Sequence, residues 1–210
     1  MLSHVIAGAF GYLLGSFPTA YLLVRWKSNI DIRNAGSGNV GTLNSYSVTK
    51  SKLVGGAVLL VDLLKGAGIV LLAREFFDNS FAIEATAGIA AVVGHNFPLW
   101  LSFKGGRGLA PAAGVMLALG WLFVAAWGIW WFLAFRVSKD VNIGNAVACL
   151  ATLAMILFSP EVVLARFVSV DVGGGEFRYF ALALFGIILS RHVEPVVKFV
   201  RNRGVFPKEQ

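Results

Sequence analysis

The stretch LAPAAGVMLALGWLFVAAWGIWWFLAF occupies residues 109–135 and contains no charged side chain. A helix needs about 20 apolar residues to cross a bilayer, so this run is long enough to span a membrane. The rest of the chain has the same character, since 57% of its 210 residues are hydrophobic and 14% are charged. Soluble domains carry about 25% charged residues. The sequence therefore predicts an all-α protein, a polytopic transmembrane helical bundle with residues 1–210 as a single domain.

Other apolar stretches flank this one and predict further spans. They cover residues 4–24, 53–73, 81–101, 142–158 and 177–190. Residues 109–135 themselves fit either one long tilted helix or two shorter helices that turn near Gly120. We prefer two helices, because the basic residues that follow them then share a side with the other basic loops. The total is seven spans.

The Lys and Arg side chains indicate the orientation of these spans. In the seven-span arrangement, 14 of the 18 Lys and Arg residues lie on one side, three lie on the other, and Lys65 is inside a span. Cytoplasmic loops carry the excess of positive charge, so the N-terminus is predicted outside and the C-terminus inside. The net charge of +7 is divided among short loops between spans. It therefore indicates membrane topology, and we expect no nucleic-acid partner.

Two charged residues stand inside the second predicted span. Asp62 and Lys65 are three residues apart and share a helix face. A lone charge in lipid is costly, so we expect them to pair or to face a polar cavity. A structural ion pair and a substrate-facing role both stay open.

The single cysteine, Cys149, lies in an apolar run. The sequence contains no metal-ligand cluster, so we expect no metal and no cofactor.

The first predicted cytoplasmic loop reads NAGSGNVGTLNSY from Asn34 to Tyr46. Its glycines permit positive φ angles and close backbone approach, and successive backbone N–H groups in such a loop can form an anion-binding nest. Neutral donors suited to phosphate or hydroxyl groups are interleaved with them: Ser37, Asn39, Thr42, Asn44 and Ser45. The loop favours phosphate binding over a flexible linker. It is not a P-loop, because no Gly-Lys-Ser/Thr follows.

The second segment reads VGHNFPLWLSFKGGRG from Val93 to Gly108. Lys104 and Arg107 flank a Gly-Gly pair, and a helix that begins near Leu109 would point its positive dipole end at the same place. If this loop served only to set the membrane topology, its positive charges would be explained, but its glycines and His95 would not.

The third segment, RHVEPVVKFVRNR from Arg191 to Arg203, predicts a basic amphipathic helix on the lipid surface.

Together these segments resemble the signatures of a known family, the bacterial acyl-phosphate:glycerol-3-phosphate acyltransferases, PlsY. The first signature is similar to GSGN-P-G-A-T-N and is matched at Gly36, Ser37, Gly38, Asn39, Gly41 and Asn44. The second is similar to GH-x-F-P followed by F-x-GGKG and is matched at Gly94, His95, Phe97, Pro98, Phe103, Gly105, Gly106 and Gly108. The third begins Arg-His, as do Arg191 and His192, and a D-x-x-KG element matches Asp62, Lys65 and Gly66.

The chain departs from these signatures in several places. Val40 replaces a proline, and Leu43 stands where Thr is usual. Arg107 replaces the Lys of GGKG, which keeps the charge but changes its geometry. In the third segment Pro195 and Lys198 stand where Asn and Arg are expected.

The resemblance implies a multi-pass enzyme of the bacterial cytoplasmic (inner) membrane, with its active site at the cytoplasmic face. It would transfer a fatty acyl group from acyl phosphate to the sn-1 hydroxyl of glycerol 3-phosphate, giving lysophosphatidic acid and phosphate. Its partners would be those two substrates and membrane lipid, and neither the oligomeric state nor the acyl-chain preference follows from the sequence.

The resemblance and the loop chemistry together predict the site residues. We expect catalytic roles for His95, His192 and Lys104. We expect substrate binding by Gly36, Ser37, Gly38, Asn39, Gly41, Thr42, Asn44, Lys104, Gly105, Gly106, Arg107 and Arg191. The proton acceptor is left open between a histidine and a substrate phosphate.

Two other classes of protein compete with an acyltransferase. A transporter of a phosphorylated solute needs polar groups along a path through the membrane, and the sequence shows little besides Asp62 and Lys65 in its spans. A lipid-binding scaffold explains the basic tail but gives the three motif segments no role. The acyltransferase is therefore the preferred interpretation.

Overall fold

The computed structural model describes residues 1–77, 80–168 and 173–202, and these residues form helices joined by short loops. In chain order the α-helices are α1 Leu2–Ser16, α2 Thr19–Ser28, α3 Thr42–Thr49, α4 Lys52–Phe76, α5 Phe81–Asn96, α6 Leu109–Ser138, α7 Val141–Phe158, α8 Glu161–Phe167, α9 Gly174–Ser190 and α10 Val193–Asn202. Two single 3-10 turns, Ile32–Asn34 and Leu99–Leu101, lie in the loops. The described part contains no strand, which confirms the predicted all-α class.

Four helical segments in the described part are long and apolar enough to cross a membrane. They are Leu2–Ser28, Lys52–Phe76, Leu109–Ser138 and Val141–Phe158. A fifth is obtained if Gly174–Ser190 and Val193–Arg201, which meet at a bend of 48°, are counted as one span. The prediction of an integral membrane protein is therefore confirmed, while the number of seven crossings stays a prediction.

Several predicted boundaries differ from the structure. The third predicted span, residues 81–101, ends as a helix at Asn96 because Pro98 pushes the residue before it out of the helical region. The first predicted span breaks for the same reason at Phe17, where φ is −56° and ψ is 120°. Two of the Lys and Arg residues counted for topology, Arg203 and Lys208, lie outside the described residues.

The chain divides into two compact units, one ending at Leu119 and one beginning at Gly120. The boundary coincides with a break inside α6, where Gly120 has φ −164° and ψ 72°. The predicted break near Gly120 is thus confirmed. It stays a prediction that the two halves of α6 are separate membrane crossings. It also stays a prediction that residues 1–210 act as one domain.

Helices α1 and α5 of the first unit pack backbone against backbone. A Cβ atom added to Gly11 or Gly15 would lie 2.3 or 2.0 Å from the carbonyl oxygens of Ala87 and Ala91, respectively. On the other helix, a Cβ atom added to Gly94 would lie 2.2 Å from the Tyr12 carbonyl oxygen. Small residues permit this approach, which is how membrane helices associate where lipid removes the hydrophobic driving force.

We expect Gly15→Ala to destabilise the protein by about 1–3 kcal/mol, the usual cost of overpacking. The added methyl group meets backbone atoms of α5 that cannot rotate away. Gly8→Ala is the matched control on the same helix, because its Cβ would make only an ordinary contact, 3.5 Å from Thr86 Cγ2. Thermal unfolding in detergent micelles would measure both, and equal melting temperatures would contradict the backbone packing.

A buried ion pair joins α4 to α5. Glu84 is fully buried, and its two carboxylate oxygens accept hydrogen bonds from Arg74 Nε at 3.1 Å and from Arg74 Nη2 at 2.8 Å. The same Nη2 group also donates to the Ala118 carbonyl oxygen at 3.2 Å. This bidentate geometry is the strong form of an Arg–carboxylate pair. The sequence analysis did not single out Glu84.

Candidate active site

The first loop is folded around the side chain of Asn44. The Asn44 Oδ1 atom accepts a hydrogen bond from the Ser37 N–H at 2.9 Å. The Asn44 amide group donates to the carbonyl oxygens of Ile32, Ala35 and Asn39, at 3.3, 3.0 and 3.0 Å. Asn44 is 4% exposed, so its polar atoms are used inside the loop. Its predicted contact with substrate stays a prediction, and its observed role is to shape the loop.

Two glycines give the loop its turn. Gly36 has φ 59° and Gly38 has φ 71°, in the left-handed region that favours glycine. A Cβ atom on Gly36 would also lie 2.2 Å from Asn44 Oδ1. The fold leaves Ser37 exposed, with Asn39 and Thr42 half-buried at the loop surface. Ser37, Asn39 and Thr42 are therefore predicted binding residues of this loop whose polar side chains are open to a ligand.

The second segment folds back onto the end of α5. The Gly105 N–H donates to the Asn96 carbonyl oxygen at 3.2 Å, and the Gly106 N–H donates to the His95 carbonyl oxygen at 3.0 Å. These bonds occupy carbonyl groups that a helix end leaves open. Lys104 is exposed and Arg107 is half-buried. Helix α6 begins at Leu109, as the sequence predicted.

Gly106 lies directly against the imidazole ring of His95. A Cβ atom at position 106 would be 2.1 Å from His95 Nε2 and 2.8 Å from the Val40 carbonyl oxygen. Three parts of the chain therefore meet here without a side chain between them: the first loop, the end of α5 and the Gly-Gly turn. This close approach leaves no room for a side chain at position 106.

Other contacts also join the two loops. The Arg33 Nη1 group donates to the Leu101 carbonyl oxygen at 3.3 Å, and Val40, Ile32 and Leu101 belong to one buried apolar cluster. Arg33 pairs with Asp31 at 2.6 Å, and this hydrogen-bonded pair lowers the pKa of Asp31 and raises that of Arg33. The structure thus brings together the first two motif segments within one unit.

Asp62 and Lys65 form the ion pair that the sequence allowed. Lys65 Nζ is 2.8 Å from Asp62 Oδ1, and both side chains are buried. The ammonium group donates its hydrogen bond to the Phe17 carbonyl oxygen at 2.7 Å. Asp62 also lines a small cavity together with His95. The structural ion pair is therefore observed, while a substrate-facing role stays a prediction.

His192 lies in the second unit and is almost fully buried. Its Nδ1 atom is 2.9 Å from the Ile188 carbonyl oxygen, which can only accept, so Nδ1 carries the proton. Its Nε2 atom is 3.4 Å from the Asn145 amide nitrogen and accepts from it. Both ring nitrogens are therefore engaged, and we expect His192 to orient groups rather than to remove a proton. Arg191 ends helix α9 beside it.

Asn145 and Glu84 are polar residues that the sequence analysis passed over inside apolar spans. The structure corrects the premise that the spans hold little polarity besides Asp62 and Lys65, since Ser16, Thr19, Glu84, Asn145 and Thr152 are all buried in helices. The sequence signal that could have indicated these residues is a polar residue inside an apolar run.

The fold and the joined loops define an integral membrane protein with two glycine-rich loops packed on a buried histidine. A family profile described as glycerol-3-phosphate acyltransferase matches residues 5–202. The chain belongs to this family, as its motifs predicted.

Individual proteins support the same assignment. The chain is 39% identical over 138 residues to a glycerol-3-phosphate acyltransferase of Thermotoga petrophila, covering 66% of this chain and 69% of the relative. It is 32% identical over 203 residues to one from Anaplasma phagocytophilum, covering 96% and 97%. It is also similar to the crystal structure of PlsY (YgiH), an integral membrane glycerol 3-phosphate acyltransferase, in the glycerol 3-phosphate form. The TM-score is 0.79 and the sequence identity is 27%, and the match covers 96% of this chain and 94% of that chain.

Proposed function

We propose that this protein transfers a fatty acyl group from acyl phosphate to the sn-1 hydroxyl of glycerol 3-phosphate. The observation that carries the proposal is the contact between the Gly36–Gly41 loop and the Lys104–Gly106 turn, in a chain of this family. The side chains of Ser37, Asn39 and Lys104 lie at the surface of these two segments and are hydrogen-bond donors that suit phosphate. Both substrates bear phosphate, and the apolar helices suit the long alkyl chain of the donor.

The reaction requires little covalent chemistry from the protein. The glycerol hydroxyl oxygen attacks the acyl carbonyl carbon, the bond between that carbon and the phosphate oxygen breaks, and the hydroxyl proton goes to the departing phosphate. The products are lysophosphatidic acid and inorganic phosphate. Acyl phosphate is already activated, so positioning and charge neutralisation are the main contributions required.

The proposed roles follow from where the residues lie. Ser37, Asn39 and Lys104 hold phosphate oxygens at the loop surface, with Arg107 as a further cation. Arg191 of the second unit stays a predicted substrate-binding residue. His95, which lies against the Gly-Gly turn, orients the glycerol hydroxyl. The engaged nitrogens of His192 favour a substrate phosphate as the proton acceptor over that histidine.

We also propose that the chain crosses the bacterial inner membrane seven times and places this site at the cytoplasmic face. The distribution of Lys and Arg supports the orientation. The break at Gly120 supports counting α6 as two crossings. Against a transporter, the buried charges Asp62 and Glu84 are paired within the protein rather than lining a path.

Purified protein in micelles would be given acyl phosphate and glycerol 3-phosphate while inorganic phosphate release is followed. We expect release that depends on glycerol 3-phosphate, and no acyl transfer from acyl-CoA or acyl carrier protein. His95→Ala and His192→Ala test the two histidines, and Lys50→Ala replaces an exposed lysine outside the proposed site. Absence of release that depends on glycerol 3-phosphate would overturn the acyltransferase proposal.

We expect Asn44→Ala to raise the KM for glycerol 3-phosphate at least about tenfold, because it leaves buried groups of the first loop without their hydrogen bonds. Asn34→Ala is the matched control, since Asn34 lies in the same loop with an exposed side chain. Steady-state kinetics of both variants would measure the effect. An unchanged KM for Asn44→Ala would show that the shape of this loop does not govern substrate binding.

A further inference from the structure

The backbone turn that presents Lys104 is strained. Ser102 and Phe103, the two residues before Lys104, have φ angles of 54° and 62°. Both angles lie in the left-handed region, which residues with a side chain rarely adopt. Such conformations persist only where surrounding contacts hold them, and they cluster at functional sites. The turn from Leu101 to Lys104 therefore needs contacts that keep it in this shape.

Two of these contacts meet at the Leu101 carbonyl oxygen. It accepts a hydrogen bond from the Lys104 N–H at 3.1 Å, which closes the turn. It also accepts a hydrogen bond from Arg33 Nη1 at 3.3 Å. The Leu101 side chain is buried in the apolar cluster that also contains Ile32 and Val40. Arg33 thus reaches the strained turn from the first loop.

The Arg33 side chain is itself held in place. Its Nε and Nη2 groups both donate to the Asp31 carboxylate, with Nη2 2.6 Å from Asp31 Oδ2. The guanidinium carbon lies 5.4 Å from the centre of the Tyr21 ring, within the range of a cation–π contact. On the backbone side, a Cβ atom added to Gly38 would lie 3.1 Å from the Arg33 carbonyl oxygen. Arg33 therefore contacts both motif segments from a fixed position.

The surroundings of the two cations suit them to different tasks. Asp31 neutralises the charge of Arg33, and both of these side chains are half-buried. The Lys104 side chain is exposed at the loop surface. Arg33 is therefore suited to hold the backbone of the protein, and Lys104 is suited to meet a phosphate group.

We propose that Arg33 is a positioning residue that holds Lys104 at the phosphate site through the Leu101 carbonyl group. Asp31 and Tyr21 fix the guanidinium group, and the guanidinium group in turn fixes the carbonyl that closes the strained turn. The sequence analysis gave Arg33 no role in the site. The effect of Arg33 on acyl transfer rests on the proposed function, whereas its effect on the turn does not.

Arg33→Lys is the substitution that tests this proposal. Lysine keeps a positive charge beside Asp31, but a single ammonium group lacks the planar fork that reaches Asp31 and the Leu101 carbonyl together. Arg25→Lys is the matched control, because Arg25 is an exposed arginine of helix α2 in the same unit.

Hydrogen–deuterium exchange of the full-length protein in micelles measures the turn independently of activity. We expect the amides of residues 102–106 to exchange at least about tenfold faster in Arg33→Lys, because local opening becomes easier when a supporting hydrogen bond is lost. Helix α4 should exchange as in the unmodified protein, and Arg25→Lys should change neither region. Unchanged exchange at residues 102–106 overturns the proposal. Faster exchange throughout α4 also overturns it, because the loss of stability would then be general.

Steady-state phosphate release measures the effect on substrate, with glycerol 3-phosphate and acyl phosphate varied in turn. In Arg33→Lys we expect the KM of at least one of these substrates to rise about tenfold, with kcat changed less than about threefold, as for a loss of substrate binding. The substrate whose KM rises is the one whose phosphate Lys104 holds. An unchanged KM for both substrates overturns the proposal.

Asp31→Asn separates this role from direct binding of phosphate by Arg33. The substitution loosens the guanidinium group and leaves its charge unbalanced. We expect faster exchange at residues 102–106 and a raised KM, as in Arg33→Lys. A lowered KM would show that Arg33 binds phosphate itself and would overturn the proposal. If the unmodified protein shows no release that depends on glycerol 3-phosphate, the proposed function fails, and the exchange measurement still decides whether Arg33 holds the turn.

Discussion

Gly106→Ala is expected to lower acyl transfer at least about 100-fold without unfolding the protein. The new Cβ atom would lie 2.1 Å from His95 Nε2 and 2.8 Å from the Val40 carbonyl oxygen. Both neighbours are buried and fixed, so the Gly-Gly turn or the imidazole must move. A displacement of about 1 Å at a reacting group can cost a factor of 100 in rate. Phosphate release with saturating substrates would measure the loss.

Gly56→Ala is the matched control for this substitution. Gly56 lies in α4 of the same unit, and a Cβ atom there meets nothing within 4 Å. We expect full activity, since alanine is also the better helix former. Near-normal activity in Gly106→Ala, beside a fully active control, would mean that the turn adapts and that the proposed site geometry is wrong.

Glu84→Ala is expected to destabilise the protein by about 3–5 kcal/mol, the usual cost of removing one partner of a buried ion pair. The substitution leaves the Arg74 guanidinium beside the fully buried position of the lost carboxylate, with only the Ala118 carbonyl oxygen as a partner among the bonds described above. Unfolding by denaturant in mixed micelles would measure the change.

Glu161→Ala is the matched control, because its contact with Arg178 is 3.7 Å long and the Glu161 side chain is 72% exposed. Exposed pairs contribute about 0–1 kcal/mol. A comparable loss of stability in the two variants would show that burial of the Arg74–Glu84 pair has no special weight.

Much of the fold could be predicted from local properties of the sequence. The apolar runs predicted the long helices, and the charges in the loops predicted a consistent orientation. Gly120 was correctly chosen as a break in α6. The boundaries at Phe17 and Asn96 were missed because hydropathy continues through each Pro-containing turn, whereas the backbone does not.

The sequence predicted which segments form the site better than it predicted the role of each residue in them. Glycines 36 and 38 have the positive φ angles that the loop composition indicated. Asn44 was grouped with exposed donors, yet its amide is turned inward. Whether a donor faces the ligand or the inside of the loop depends on tertiary contacts, which the sequence does not show. The partners of Glu84 and of His192 lie 10 and 47 residues away in sequence, Arg74 and Asn145. No spacing rule connects such residues.

The ammonium group of Lys65 has a wider consequence. Broken membrane helices expose backbone carbonyls that need positive charge, and in many transporters sodium ions supply it. Here the charge is attached to the chain, reaching the Phe17 carbonyl from the next long helix. It cannot diffuse away or exchange with other ions. The geometry beside His95 is therefore expected to be insensitive to the sodium and potassium content of the cell, so that lipid synthesis would continue through changes in salt that would empty an ion-bound site.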